Sequence, residues 1–232
     1  SANQAVVSYR GEVSMKGEPL MFSRILVATD LSEASERVVC TLGSLRVLGS
    51  REAILVHCLN IRDVGTLANR LRELIKPSLE RQREILQAQG FETTVEVVLG
   101  LPQIEINKLA VEKDCSLTVI GSFGHTMVGE AFLGGVATAV IHTALRPVLV
   151  LRLKTRDEKG TTICDEPTCD PLKHVLFPTD FSDNAERAFA YVQKVVESGA
   201  KRVTLLHVQD EAKIGKYLAH RLEEFNTIDI AR

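Results

Sequence analysis

The sequence has no tryptophan, and aromatic residues make up only 5% of its 232 positions. Proteins that stack bases of single-stranded nucleic acid need such rings, so that class of function is disfavoured. Charge of one sign is also missing. Lys and Arg number 28 against 30 Asp and Glu, a formal net charge of −2. That balance excludes a nucleic-acid binder driven by bulk charge. No apolar run approaches the ~18–20 residues that span a bilayer. Residues 1–20 are polar and lack the apolar stretch of a secretory leader. Cysteines are few and odd in number, five, scattered at 40, 58, 115, 164 and 169. This reads as free thiols in a reducing, cytoplasmic protein and not as a disulfide scaffold. Cys164 and Cys169 have only His174 nearby, too sparse a set for a zinc site. What is present is ordinary globular composition, 45% hydrophobic and 25% charged.

An internal repeat organises the chain. Ile25-Leu26-Val27-Ala28-Thr29-Asp30-Leu31-Ser32 matches Val175-Leu176-Phe177-Pro178-Thr179-Asp180-Phe181-Ser182. Leu55-Val56-His57-Cys58 matches Leu205-Leu206-His207-Val208 at the same offset of 150. A fixed long period means two copies of one unit. The expected division is a leader or extension over 1–20, a complete domain over 21–153, a linker over 154–172, and an incomplete second copy over 173–232. The second copy stops at the position equivalent to Gln82.

Within the first copy, apolar runs alternate with helical patterns. Strands are expected at Arg24–Thr29, Ala53–Leu59, Thr93–Val98, Leu117–Gly121 and Pro147–Leu151. Ser32 can cap the first helix, whose apolar positions run from Val38 to Leu48 before Gly49 ends it. A second helical pattern reaches Gly90, with Pro77 expected to kink or interrupt it. Pro102 opens a third helix, and a fourth covers about Gly135 to Leu145. Strands alternating with helices imply an α/β fold with an open five-stranded parallel sheet and helices on both faces. The expected strand order is 3-2-1-4-5, which puts a ligand crevice between the first and fourth strands.

Two features meet at that crevice. Asp30 ends the first strand. Gly121-Ser122-Phe123-Gly124 ends the fourth, and Gly134-Gly135 opens the last helix. Glycines allow close backbone approach to an anion, and a helix N-terminus offers unpaired N–H groups. Asp30 could accept hydrogen bonds from ribose hydroxyls. His125 lies in the intervening loop, where it either reaches a phosphate or is solvated. His57 and His207 read as satisfied histidines at the ends of buried strands. The spacing is neither a Walker A loop nor a Rossmann fingerprint.

These motifs together resemble the universal stress protein family in its tandem-domain form. Its nucleotide-binding members carry G-x2-G-x9-G-[S/T], and this chain has Gly121-x2-Gly124-x9-Gly134-Gly135. The resemblance implies ATP or AMP as ligand, with Mg2+ able to bridge a triphosphate. It implies that Ala28, Thr29 and Asp30 meet adenine and ribose and that the backbone at Cys58 contacts adenine. Ile120 and Gly121 would flank ribose and phosphate, while Gly124, Gly134, Gly135 and Val136 would hold the phosphates. The second copy retains the adenine-side elements Pro178, Thr179, Asp180 and Val208. Two departures stand out: Ala28 replaces the family's Pro, and Gly135 replaces a Ser or Thr hydroxyl that donates to phosphate.

The leading expectation is a cytoplasmic regulatory protein that binds an adenine nucleotide, forms a homodimer and acts on a protein partner the sequence does not identify. No catalytic or metal-ligating residues are nominated, and neither nucleic acid nor membrane is expected as a partner. The alternatives are a dimerisation module that binds no nucleotide and a slow ATPase. The homodimer follows from the apolar edge Val148-Leu149-Val150-Leu151, which the family pairs across a two-fold axis.

Overall fold

Apolar residues on both sides of a short strand call for cover on both sheet faces. Arg24–Thr29 (β1) meets that description, with Ile25, Leu26 and Val27 fully buried, and it lies inside the sheet. The computed structural model describes residues 21–60, 68–124, 133–158, 161–164 and 170–208. The chain divides into two compact units, with the boundary between Asp170 and Pro171.

In the first unit β1 is followed by helix α1 (Glu33–Thr41) and a 3-10 helix (Leu42–Leu48) that ends at Gly49. Then come β2 (Glu52–Asn60), α2 (Ala68–Ala88), β3 (Glu92–Gly100), α3 (Pro102–Glu112), β4 (Leu117–Gly124), α4 (Gly135–Thr143) and β5 (Val148–Glu158). The strands form a parallel sheet of order β3-β2-β1-β4-β5, as the alternation of patterns implied. A short strand β6 (Thr161–Cys164) adds to β5 antiparallel, pairing Thr155 with Cys164 and Glu158 with Thr161.

Side-chain alternation along the strands divides the core in two. Leu26, Ile54, Val56 and Ile120 face Ile106, Leu109 and Ala110 of α3 and Ala137 and Val140 of α4. Ile25, Val27 and Leu55 point the other way, and α1 and α2 cover that face with Val38, Val39 and Leu86. Burying each of these large side chains contributes ~1.5–3 kcal/mol.

Several boundaries differ from the sequence expectation. Pro77 lies inside α2 without ending it. A proline costs a helix interior about 3 kcal/mol. Leu79 and Leu86, both buried, anchor the turns that follow. β5 continues seven residues past Leu151. The stretch expected as a linker therefore contains the end of β5 and the whole of β6.

The second unit has β7 (Val175–Pro178), α5 (Asp183–Glu197) and β8 (Val203–Leu206). β7 and β8 pair in parallel with Val175 opposite Val203, a separation of 28 that equals Ile25 opposite Ala53. Phe177 and Val192 are its buried apolar residues among the described ones, and Phe189 packs on Phe177.

Candidate functional site

Beyond the C-terminal end of β1 the chain makes a tight polar turn. Thr29, buried at 6% exposure, receives the N–H of Leu31 on its hydroxyl at 3.0 Å. The Asp30 carboxylate accepts the N–H of Ser32 at 2.9 Å. The Ser32 hydroxyl in turn accepts the N–H of Ser35 at 3.1 Å, capping α1. Ser35 Oγ donates to Ser32 O at 3.0 Å, so the Thr29 hydroxyl, 3.0 Å away, is the donor to Ser35 Oγ. These bonds hold Leu31 at φ 65°, a left-handed conformation that costs a branched side chain ~1–3 kcal/mol.

Asp30 itself is exposed. Crowding by the turn pushes its carboxyl pKa up, but the Ser32 and Ser35 hydrogen bonds outweigh that and hold it below the usual carboxylate range. The group is therefore an anion at neutral pH, available as a hydrogen-bond acceptor.

The neighbouring strands bring the other expected residues to the same end of the sheet. Thr29 is opposite His57, which places Cys58 one step further along β2. Burial, followed by the charge of Glu105, raises the Cys58 thiol to about 11, so it is neutral and no nucleophile. On the other side Val27 is opposite Val119, so Ile120, Gly121 and Ser122 run out beside Ala28, Thr29 and Asp30. Ile120 is buried and Gly121 half-buried. Gly124 ends β4, and His125 lies outside the described residues.

Ser122 is 1% exposed and donates its hydroxyl to Leu133 O at 3.1 Å. That bond ties the end of β4 to the residue before Gly134. Gly134 has φ 81° and ψ 147°, a region open in practice only to glycine. It caps α4 without a side-chain hydrogen bond, and its carbonyl accepts the N–H of Thr138. The N–H groups of residues 135–137 precede the first intrahelical donor and lack acceptors within the helix. A Cβ built on Gly134 or Gly135 meets nothing within 4 Å. Val136, 43% exposed, stands at the same helix start. The candidate site thus combines an anionic acceptor just past β1 with a helix N-terminus that has no side-chain cap among the described residues and follows the neighbouring strand β4.

The second unit repeats the first half of this arrangement. Thr179 Oγ receives the N–H of Phe181 at 3.0 Å, Asp180 that of Ser182 at 3.0 Å, and Ser182 Oγ that of Ala185 at 3.3 Å. Phe181 has φ 58°. Pro178 and Val208 flank the turn and are exposed. The histidines expected to be satisfied are so in both units, His57 Nδ1 on Thr29 O and His207 Nδ1 on Thr179 O.

Sequence reasoning missed Ser35 and the bond made by Ser122. Ser122 had a signal, its place between two glycines of the motif. Ser35 had none, because a serine three residues into a helix carries no mark of its partner. A groove of ≈ 450 Å3 between α3 and α4, lined by Gln103, Ile104, Asn107, Ala139, His142 and Thr143, contains none of the expected site residues. Among the described residues no group of three His, Cys, Asp or Glu could hold a metal ion, and no helix is long and apolar enough to cross a membrane.

The chain is similar to several universal stress proteins. Universal stress protein MJ0577 of Methanocaldococcus jannaschii is 28% identical over 158 residues, covering 58% of this chain and 98% of that protein. Its solved structure superposes with a TM-score of 0.52 at 31% identity, over 60% of this chain and 99% of that one. A universal stress protein from Archaeoglobus fulgidus gives a TM-score of 0.68 at 24% identity, over 88% of this chain and 74% of its own. Another structure from Archaeoglobus fulgidus, in complex with dAMP, gives 0.44 at 25% identity, over 56% of this chain and 98% of its own. The model of the universal stress protein family matches residues 21–152, more than half of the sequence, and the chain belongs to that family.

Proposed function

We propose that the first unit binds an adenine nucleotide, ATP or AMP, in the crevice beyond β1 and β4, and that the protein acts as a regulatory binder. The observation that carries this reading is the N-terminus of α4, opened by Gly134 at φ 81° without a side-chain cap, beyond β4, which pairs with the strand that leads into Asp30. The helix end favours phosphate through its free N–H groups and dipole. The Asp30 carboxylate suits ribose hydroxyls, and the backbone around Cys58 suits the adenine edge. Ala28, Thr29, Ile120 and Gly121 line the path between them, with Gly124, Gly135 and Val136 at the phosphates.

The absence of a hydroxyl at Gly135 removes one donor to phosphate. Such a bond to a charged group contributes ~1.5–3 kcal/mol, so binding is weakened and not abolished. In the second unit Thr179 and Asp180, with Pro178 and Val208, form the adenine-side half of a second copy.

Titration with ATP, AMP and GTP while following the thermal midpoint tests the reading. Adenine nucleotides raise the midpoint as RT ln(1 + [L]/Kd) requires. No rise at several-fold millimolar ligand overturns it.

A homodimer is proposed on a separate observation. β6 covers the outer edge of β5 only from Thr155 onward, which leaves Val148–Lys154 without a strand partner there among the described residues. Such an edge recruits a second strand. A monomeric mass at tens of micromolar counts against it. If the dimer forms and no nucleotide binds, the dimerisation module is the better description.

A further inference from the structure

One contact reaches the polar turn from outside it. His57 Nδ1 lies 2.9 Å from Thr29 O, and its counterpart His207 Nδ1 lies 2.9 Å from Thr179 O. A carbonyl oxygen only accepts, so each Nδ1 carries the hydrogen. The other side-chain bonds on the turn are local. Thr29 Oγ and Asp30 Oδ1 each reach a backbone N–H two residues ahead, while the histidine bond spans 28 residues and comes from the next strand.

The turn needs such support, because Leu31 and Phe181 sit at φ 65° and 58°. Bulky residues are genuine outliers there and persist only when the surroundings over-determine them. The two turns differ in sequence around the contact: Ala28 against Pro178, Leu31 against Phe181, Ser35 against Ala185. The histidine bond is the same in both. The two copies thus keep one cross-strand anchor although the residues packed around it differ, which ties the histidine to the turn itself.

We infer that His57 is a positioning residue for Asp30: its Nδ1–H fixes the Thr29 carbonyl, and with it the direction in which β1 passes into the turn that presents the Asp30 carboxylate. His57 acts through Asp30 and not on the ligand. The inference rests on the nucleotide reading for its consequence, but its structural content does not depend on a ligand.

The test uses the full chain with His57→Ala, His57→Asn and His57→Gln. The Asn amide nitrogen occupies the place of Nδ1, and the Gln amide nitrogen that of Nε2. AMP affinity falls ~10-fold in His57→Ala and in His57→Gln, and stays within ~3-fold of the parent in His57→Asn. In an Asp30→Ala background, His57→Ala adds no further loss, because the two residues act as one unit. Without ligand, amide hydrogen exchange at Leu31 and Ser32 accelerates in the Ala and Gln variants and keeps its parent rate in the Asn variant.

Equal AMP binding by parent and His57→Ala overturns the inference, as does an undiminished loss in the Asp30→Ala background. If the parent binds ATP and not AMP, the same comparisons are made with ATP; if it binds neither, the nucleotide reading fails, and exchange decides the positioning role alone. Unchanged exchange at Leu31 and Ser32 in a folded His57→Gln then removes it, and acceleration rescued by Asn sustains it.

Discussion

Ser32 does two things at one position. Its hydroxyl caps α1, and its N–H binds the Asp30 carboxylate. Ser32→Ala keeps the second bond and loses the first, so urea unfolding should show a loss of ~1 kcal/mol. Asp30 adds a pH dependence. Its folded value lies below the ordinary one, so its charged form stabilises the fold above about pH 4, and that contribution fades as pH falls through the depressed value. The stability difference between the parent and Asp30→Asn should be largest near neutral pH and shrink in acid, as equilibrium unfolding at stepped pH would report. Thr29, Asp30 and Ser32 were legible in the sequence because the chain prints them twice. The left-handed backbone at Leu31 was not. Leucine carries no sign of it, and the conformation is imposed by hydroxyl and carboxylate partners that only the folded turn brings together.

At the scale of elements, the helix that follows the glycine loop is the informative one. Position 135 is the first residue of α4 and has open space around it. Gly135→Ala should raise stability by ~0.5–1 kcal/mol through helix propensity alone and leave ATP affinity nearly unchanged. Gly135→Ser supplies the missing donor as well, and calorimetric titration should find ATP bound ~10-fold tighter or more. α2 offers a different prediction. Gln82 is fully buried, and both polar atoms of its amide lack a hydrogen-bond partner among the described residues. Gln82→Met, of similar volume, should stabilise the protein by ~1–3 kcal/mol in chemical denaturation. The strands and helices were legible from periodicity. The extension of β5 was not, because Lys154 and Arg156 fall in the stretch expected as a linker. The same alternation suits a strand with one solvated face, and the β6 partner that settles the matter is a four-residue segment with no pattern of its own.

For the molecule as a whole, a net charge of −2 fits the proposed site, which would hold phosphate with backbone N–H groups. Such a site carries fixed dipoles and releases few counterions. AMP affinity should therefore change less than ~3-fold between low and high salt in a titration series, where a lysine-lined site would lose far more. The sheet order was legible because right-handed crossovers leave few topologies. What covers the outer edge of β5 was not, since β6 is a four-residue antiparallel return with no periodicity of its own.

The central position of β1 has a consequence for synthesis. Its first neighbour, β2, arrives 28 residues later, but its second, β4, arrives some 92 residues later, where Arg24 meets Ser116. During translation the turn at Asp30 can be anchored by His57 long before the glycine-bearing strand leaves the ribosome. Half of the crevice is then built early, and the half that would grip phosphate comes only with the most non-local pairing β1 makes. A nucleotide that requires both halves would ignore the nascent chain and report a finished sheet.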